Sequence, residues 1–446
     1  MADCPRAGAL ERAAIAAELS CLLQQYVRID TTNPPGNELA TARFLHSVLA
    51  RDGIESQLFE SAPGRANLIA RLKGQQPGKA VMLVHHMDVV PASADEWSVP
   101  PFAGTLKDGQ VWGRGAIDNK GTGVVELMTL LLLQRLGTPP RRDLVLLAVA
   151  DEESGGAYGA RWLTERHPEL FTDVEYILNE GGGILELPDG KRLYTVELAQ
   201  KAPLWLRVTA QGASGHGSAP APNNAAAVLV RALARVAEHE FPIQVLPEVQ
   251  ALFSARAAAL PEAKRQRFQN LQASLQDAAF RKELLSNPHD AALVRTTLAI
   301  TMLSASNKEN VISEKASALL DVRLLPGQDP QAIQAEITRL LGEPSLKLEP
   351  VLTWQAHRSP RDTPLFAAIE QLSKQRDAGP VNTNVIGGFT DCNAFRARGK
   401  ICYGFLPQII HLEELELIHG KNERLSVERA SQAVIELHSL LGLLEG

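Results

Sequence analysis

At 446 residues the chain exceeds what one hydrophobic core serves well, and two or three domains are expected. Its 45% hydrophobic and 22% charged residues are those of an ordinary globular protein, and a net charge of -6 without a basic stripe excludes nucleic acid as an expected partner. No apolar run reaches the ~20 residues of a membrane span, so no membrane partner is expected either. In chain order, Ala9 to Leu23 is broken by Glu11, Arg12 and Glu18 and reads as part of an amphipathic helix running to Arg28, not as a signal segment. Asp30 to Asn37 is a turn-rich loop, Glu38 to Asp52 a second helix, and Asn67 to Leu72 and Ala80 to His85 are strands. Val89 to Trp112 reads as one long loop, Gly121 to Leu136 as a helix, Leu144 to Ala150 as a strand, Ala157 to Arg166 as a helix and Tyr176 to Leu178 as a short strand. Alternating strands and helices predict an α/β fold with a doubly wound, mainly parallel sheet.

Near Lys201 the pattern changes. Leu204 to Ala210 alternates as a half-exposed strand does, and Gly212 to Ser218 is a glycine-rich turn. A helix over Asn223 to Ala237 follows, then a polar helical stretch over Phe241 to Val294 with breaks at Leu260-Pro261 and Asn287-Pro288. Strands over Arg295 to Met302, Ser317 to Leu325 and Leu346 to Leu352, with a helix over Asp329 to Leu341, complete an inserted α+β unit. From Ser359 the α/β pattern returns, with helices over Pro364 to Gln375 and Ser426 to Leu443 and a strand over Ile401 to Phe405. The expected domains are a catalytic domain in two parts, 1–202 and 357–446, and the insertion 203–356. The four cysteines, Cys4, Cys21, Cys392 and Cys402, form no C-x-x-C pair, so free thiols and a cytoplasmic location are expected.

The chemistry gathers where buried strands end. His86-Met87-Asp88 closes one apolar run and Asp151-Glu152-Glu153 another, and in open α/β sheets the carboxyl ends of strands are where ligands bind. Strand alternation lets His86 and Asp88 point one way while His85 points the other, as a structural residue. Gly113 to Gly121 is neither a P-loop, because Asn119 precedes Lys120, nor a G-x-G-x-x-G turn, because the last position is Asp118. His86, Asp118, Glu153, Glu180 and His419 make two imidazoles and three carboxylates. That set suits a pair of divalent cations with one bridging carboxylate, zinc first and cobalt or manganese next. Glu152 is then placed to move a proton beside them.

These phrases, with Thr32 to Gly36, Ser214-Gly215-His216 and Asp321-Val322-Arg323, resemble the M20 family of metallopeptidases over nearly the whole chain. Leu293 to Met302, Asn310-Val311-Ile312 and His419 to Arg424 are similar to its carboxypeptidase S and N-acyl-amino-acid hydrolase branch. The resemblance implies that Asp118 bridges the two metals, with His86 and Glu180 completing one site and Glu153 and His419 the other. It implies that Asp88 orients His86, Glu152 is the general base and acid, and a cis peptide follows Asp118. It further implies that His216 stabilises the oxyanion, and that Arg323 and Asn310 hold a substrate carboxylate. The expected substrate is a small peptide or an N-acyl amino acid. The insertion is expected to serve as lid and dimerisation domain of a homodimer, with His216 reaching the partner's metals or acting within its own chain. An aminoacylase acting on small acyl groups and a metal-free binding protein are the rival readings; the second would need a ligand missing, and none is.

Overall fold

The computed structural model describes residues 4–76, 78–187, 190–257 and 260–444. Residues 258–259 of the expected helical stretch lie outside them. The chain divides into two compact units, one of Met1–Leu198, Ser359–Thr383 and Thr390–Gly446, the other of Ala199–Arg358 and Asn384–Phe389.

The first unit is built on a mixed sheet whose strands run in the spatial order Ser56–Ala62, Arg65–Leu72, Leu144–Val149, Ala80–His86, Val174–Asn179, Ile401–Gly404, Arg192–Gln200, Gly183–Glu186, Ile409–His411. The central four are parallel, and Ser56–Ala62 and Arg65–Leu72 close one side antiparallel. Ala80–His86 and Leu144–Val149 are buried at every residue, which a parallel strand covered on both faces requires. Their side chains alternate between two cores. Val81, Leu83, Leu144 and Leu146 pack with the long helices Arg12–Val27, Glu38–Arg51, Lys120–Arg135, Pro364–Gln375 and Val427–Leu444. Met82, Val84, Val145 and Leu147 pack on the opposite face, against the shorter helices Ala160–Arg166 and Cys392–Arg396. This is the doubly wound arrangement, and it sends His86, Asp151 and Glu180 to the same end of three adjacent parallel strands.

The second unit carries a four-stranded antiparallel sheet in the order Thr297–Ser304, Lys315–Leu324, Ala202–Gln211, Lys347–Thr353. The apolar faces of helices Ala225–Ala237 and Pro330–Leu341 cover it, through Leu229, Leu233, Val236, Ile337 and Leu341. Asn224 and Asp329 cap those helices, each accepting a first-turn amide. The polar stretch is a set of short helices between Pro247 and Val294 with a core of its own around Phe253, Leu271, Phe280 and Leu284.

Three expectations change. Val89 to Trp112 is not one loop: Thr105–Lys107 and Gln110–Trp112 form a hairpin, joined by Arg424–Ser426 into a small sheet. Strands Ser56–Ala62, Gly183–Glu186, Arg192–Gln200 and Ile409–His411 were not foreseen. The cysteines are not free: Cys4 pairs with Cys21 and Cys392 with Cys402 as disulfides, because the fold brings together what the spacing keeps apart. The thiol argument for a cytoplasmic location loses its premise. No helix among the described residues is long and apolar enough to cross a membrane.

Candidate metal centre

His86 is the last residue of its strand, and Asp88 turns back over the chain that leaves the neighbouring strand. The two oxygens of the Asp88 carboxylate accept the Glu152 and Glu153 amides at 3.1 Å each, and one also accepts Asn33 Nδ2 at 2.8 Å. Asp151, just before, sits in the left-handed region at φ 67°. Its short carboxylate supports that backbone by accepting Asn33 Nδ2 at 3.0 Å, Arg65 Nη2 at 2.9 Å and the Tyr158 amide at 3.1 Å. Glu152 and Glu153 are thus presented by partners on three other segments. Asn33 and Asp151 lie in phrases that the sequence singles out, without a role of their own, while the contribution of Arg65 is spatial and leaves no local signature.

The imidazole of His86 donates from Nδ1 to the main-chain carbonyl of Asp88 at 2.9 Å, with the Asp88 carboxylate at 3.5 Å. That bond turns Nε2 toward Asp118 Oδ1 at 2.9 Å and Glu180 Oε1 at 3.7 Å. The other oxygen of Asp118 lies 3.1 Å from His419 Nε2, which is itself 3.2 Å from Glu153 Oε2. Two trios result, His86–Asp118–Glu180 and Asp118–Glu153–His419, each with its ligand-type atoms within 4.8 Å of one another and with Asp118 in common. The Asp118–Asn119 peptide is cis, and Asn119 Nδ2 donates to Glu180 Oε2 at 2.7 Å. His85 points away, between Tyr26 Oη at 3.2 Å and Glu126 at 2.8 Å, both buried.

The electrostatics are those of crowded acids. Burial pushes Glu152 well above the ordinary carboxylate range against the pull of His86, with Glu180, Asp391 and Glu153 adding to the rise. Burial likewise carries Glu180 to about 8 and Asp391 to about 7, both opposed by His86. Asp118 is held low although burial would raise it, because His419 and His86 both bond to it. His419 is raised to about 10 by its bonds to Asp118 and Glu153. Asp391 is buried with Oδ2 unpartnered. Glu152 Oε1 and Glu153 Oε1 are also buried without partners. Surplus buried carboxylate, orphaned oxygens and two imidazoles in shared trios fit a pair of divalent cations.

The other predicted site residues belong to the second unit. His216 is exposed on the glycine-rich turn, its Nδ1 2.7 Å from Ser218 Oγ. It pairs with Val311, and the Gly217 amide donates to the Asn310 carbonyl at 2.8 Å, so His216 and Asn310 are neighbours. Arg323 is half-buried and holds Asp321 through two bonds of 2.7 and 3.0 Å, with its guanidinium 5.1 Å from the centre of the Phe389 ring.

Comparison with known proteins gives the same direction. A probable carboxypeptidase S-like 2 of Dictyostelium discoideum is 29% identical over 368 residues, covering 80% of this chain and 70% of that protein. An N-fatty-acyl-amino acid synthase/hydrolase PM20D1 of Xenopus tropicalis is 30% identical over 355 residues, covering 78% and 69%, and the pig (Sus scrofa) aminoacylase-1 is 28% identical over 412 residues, covering 91% and 89%. The fold matches that of an M20 family metallo-carboxypeptidase from Sulfolobus solfataricus with a TM-score of 0.73 at 19% identity, over 96% of this chain and 99% of the other. The sequence profile described as Peptidase family M20/M25/M40 matches residues 82–442, and the chain belongs to that family, a hydrolase of amide or peptide bonds.

Proposed function

We propose that the protein hydrolyses the amide bond next to a free carboxylate, in a small peptide cut at its C-terminal residue or in an N-acyl amino acid, with two divalent cations, zinc foremost. The observation that carries this is the sharing of Asp118 between two His-containing trios. His86 and Glu180 would hold one cation, Glu153 and His419 the other, and Asp118 both. Bound there, the pair would polarise the scissile carbonyl and acidify water. Glu152, buried with an unpartnered oxygen, takes the proton from the attacking water and returns it to the leaving nitrogen. Asp88 keeps the Glu152–Glu153 segment and the His86 ring in register through two amides and its own carbonyl. Arg323 and Asn310 hold the substrate carboxylate, the planar guanidinium exchanging Asp321 for it. The second unit serves as lid and dimerisation surface, and His216, exposed on its turn, donates to the developing oxyanion. The relatives named for N-acyl amino acids favour that substrate class over longer peptides. A panel of N-acyl amino acids of short and long acyl chain, with dipeptides, assayed with added zinc, cobalt or manganese, tests the reading. Its failure is no turnover of any member by protein shown to hold two metals.

A further inference from the structure

Glu423 lies in the phrase His419-Gly420-Lys421-Asn422-Glu423 and had no part in the chemistry above. Its side chain is fully buried. Oε1 accepts the amides of Ile117 at 2.7 Å and Asp118 at 3.0 Å, while Oε2 accepts the Gly115 amide at 3.0 Å and Arg114 Nη1 at 2.7 Å. Its main-chain carbonyl accepts the Gly113 amide at 2.9 Å. One residue therefore closes the whole turn from Gly113 to Asp118. Arg114 adds a link in the other direction, because Nη2 donates to the His419 carbonyl at 3.2 Å.

The turn needs such an anchor. Gly115 has φ 85°, and a side chain there would strike Val89. On the other side of the clamp, His419 and Asn422 both sit at φ 59°, in the left-handed region that few non-glycine residues enter. Asn422 Oδ1 is tied to the amide and hydroxyl of Ser98, each at 2.8 Å, and the Arg114 guanidinium lies 5.2 Å from the Trp97 ring centre. Packing alone would not place three amides on one carboxylate; that convergence fixes the peptide plane from which the Asp118 side chain departs.

From this geometry we infer that Glu423 is a positioning residue for the metal pair: with Arg114 it sets the shared Asp118 carboxylate and the His419 imidazole in one register. The inference rests on the two-cation reading above. Glu423→Gln keeps the size but offers N–H groups where amides already point, so one end of the side chain must leave its partners. Groups that orient ligands typically change metal affinity by roughly 10–100-fold, and a loss of that size is expected here.

The test titrates zinc alone into the full-length apoprotein against a competing chelator, for the parent, Glu423→Gln, the conservative Glu423→Asp, and Leu437→Ala as a buried control in the last helix. Cobalt absorption spectra of the same proteins report ligand geometry. Expected results are two zinc ions in the parent, zinc affinity about 10–100-fold weaker with altered cobalt bands in folded Glu423→Gln, a smaller loss in Glu423→Asp, and a lower melting temperature with parental affinity in Leu437→Ala. A parent that binds no zinc would overturn the function proposed above. A parent with two zinc ions beside a folded Glu423→Gln or Glu423→Asp of unchanged affinity and spectrum would overturn this inference alone. So would the failure of both Glu423 variants to fold, which would make Glu423 a residue of the fold.

Discussion

Glu152 and Glu153 are neighbours in sequence with opposite assigned tasks, and substituting each by glutamine separates them. Glu152→Gln keeps volume and leaves the backbone alone: the amide that Asp88 accepts at 3.1 Å belongs to the main chain and survives. Oε1 of Glu152 has no partner to lose, and the charge removed is one that burial already disfavours, so stability should change by less than about 1 kcal/mol. What disappears, on the proposed role, is the proton acceptor. General acid–base catalysis contributes roughly 10²–10⁴-fold, or about 2.7 to 5.4 kcal/mol of barrier, and kcat should fall by that factor with KM little changed. Glu153→Gln should behave differently, since Glu153 Oε2 lies 3.2 Å from His419 in one of the two trios. It should cost bound metal before it costs anything else. Metal content by mass spectrometry, melting temperature and steady-state rates on one substrate decide the matter. A Glu152→Gln protein that loses a metal ion, or that retains more than a tenth of parental kcat, refutes the assignment.

Zinc binding to the metal-free protein at pH 6.5 should release protons, because Glu180 near 8, Asp391 near 7 and His419 near 10 all hold them there. All three are raised above their unfolded values. The stability they lend the metal-free fold is complete below their unfolded values and drains as pH rises, between about 4 and 8 for the acids and between about 6.5 and 10 for His419. The melting-temperature gain on adding zinc should therefore grow from pH 5 to 7, and calorimetry in buffers of different ionisation heat that finds no proton release counts against it. Arg323→Ala should raise KM strongly for substrates with a free carboxylate and abolish discrimination against their amides; equal losses on both would make Arg323 a partner of Asp321 and nothing more. Mixing His216→Ala with Glu152→Gln under subunit exchange should restore activity to about half the sites of each heterodimer, and no recovery despite proven exchange ends the trans reading. Thiol titration of the unfolded, unreduced chain should find no free cysteine, and Cys392→Ser with Cys402→Ser should lose roughly 3 kcal/mol from a disulfide closing a loop of this span. Reactive thiols in the unreduced chain would contradict both bridges.

The site was legible because its strands are. Ala80–His86 and Leu144–Val149 are unbroken apolar runs that end in ligand-type residues, and sheet topology does the rest. The second unit was legible as a change of period, from buried runs to the alternation of Ala202–Gln211. What escaped has physical reasons. Ser56–Ala62 is an edge strand half-exposed on both faces, so it carries no period. The hairpin at Thr105–Lys107 did carry a signal, since Asp108 and Gly109 adopt φ 52° and 70° as a two-residue turn demands, but it was absorbed into a long loop. The Cys392–Cys402 pair joins a helix to the strand that follows it, a proximity no spacing rule contains. Arg65 and Asp391 reach the site from segments whose local sequence carries no ligand-type pattern.

The sheet has a further consequence in time. Ile401–Gly404 sits in its middle, between Val174–Asn179 and Arg192–Gln200, and His419 follows that strand. The first 198 residues contain His86, Asp118, Glu153 and Glu180, yet on the ribosome they face a gap where the strand belongs until the whole intervening unit has been synthesised. Such long-range pairing folds slowly and late. A nascent chain thus lacks both the closed sheet and the trio that includes His419 until the segment beyond the second unit has been made. On the proposed reading, the capacity to cut amide bonds waits for His419, which follows that strand.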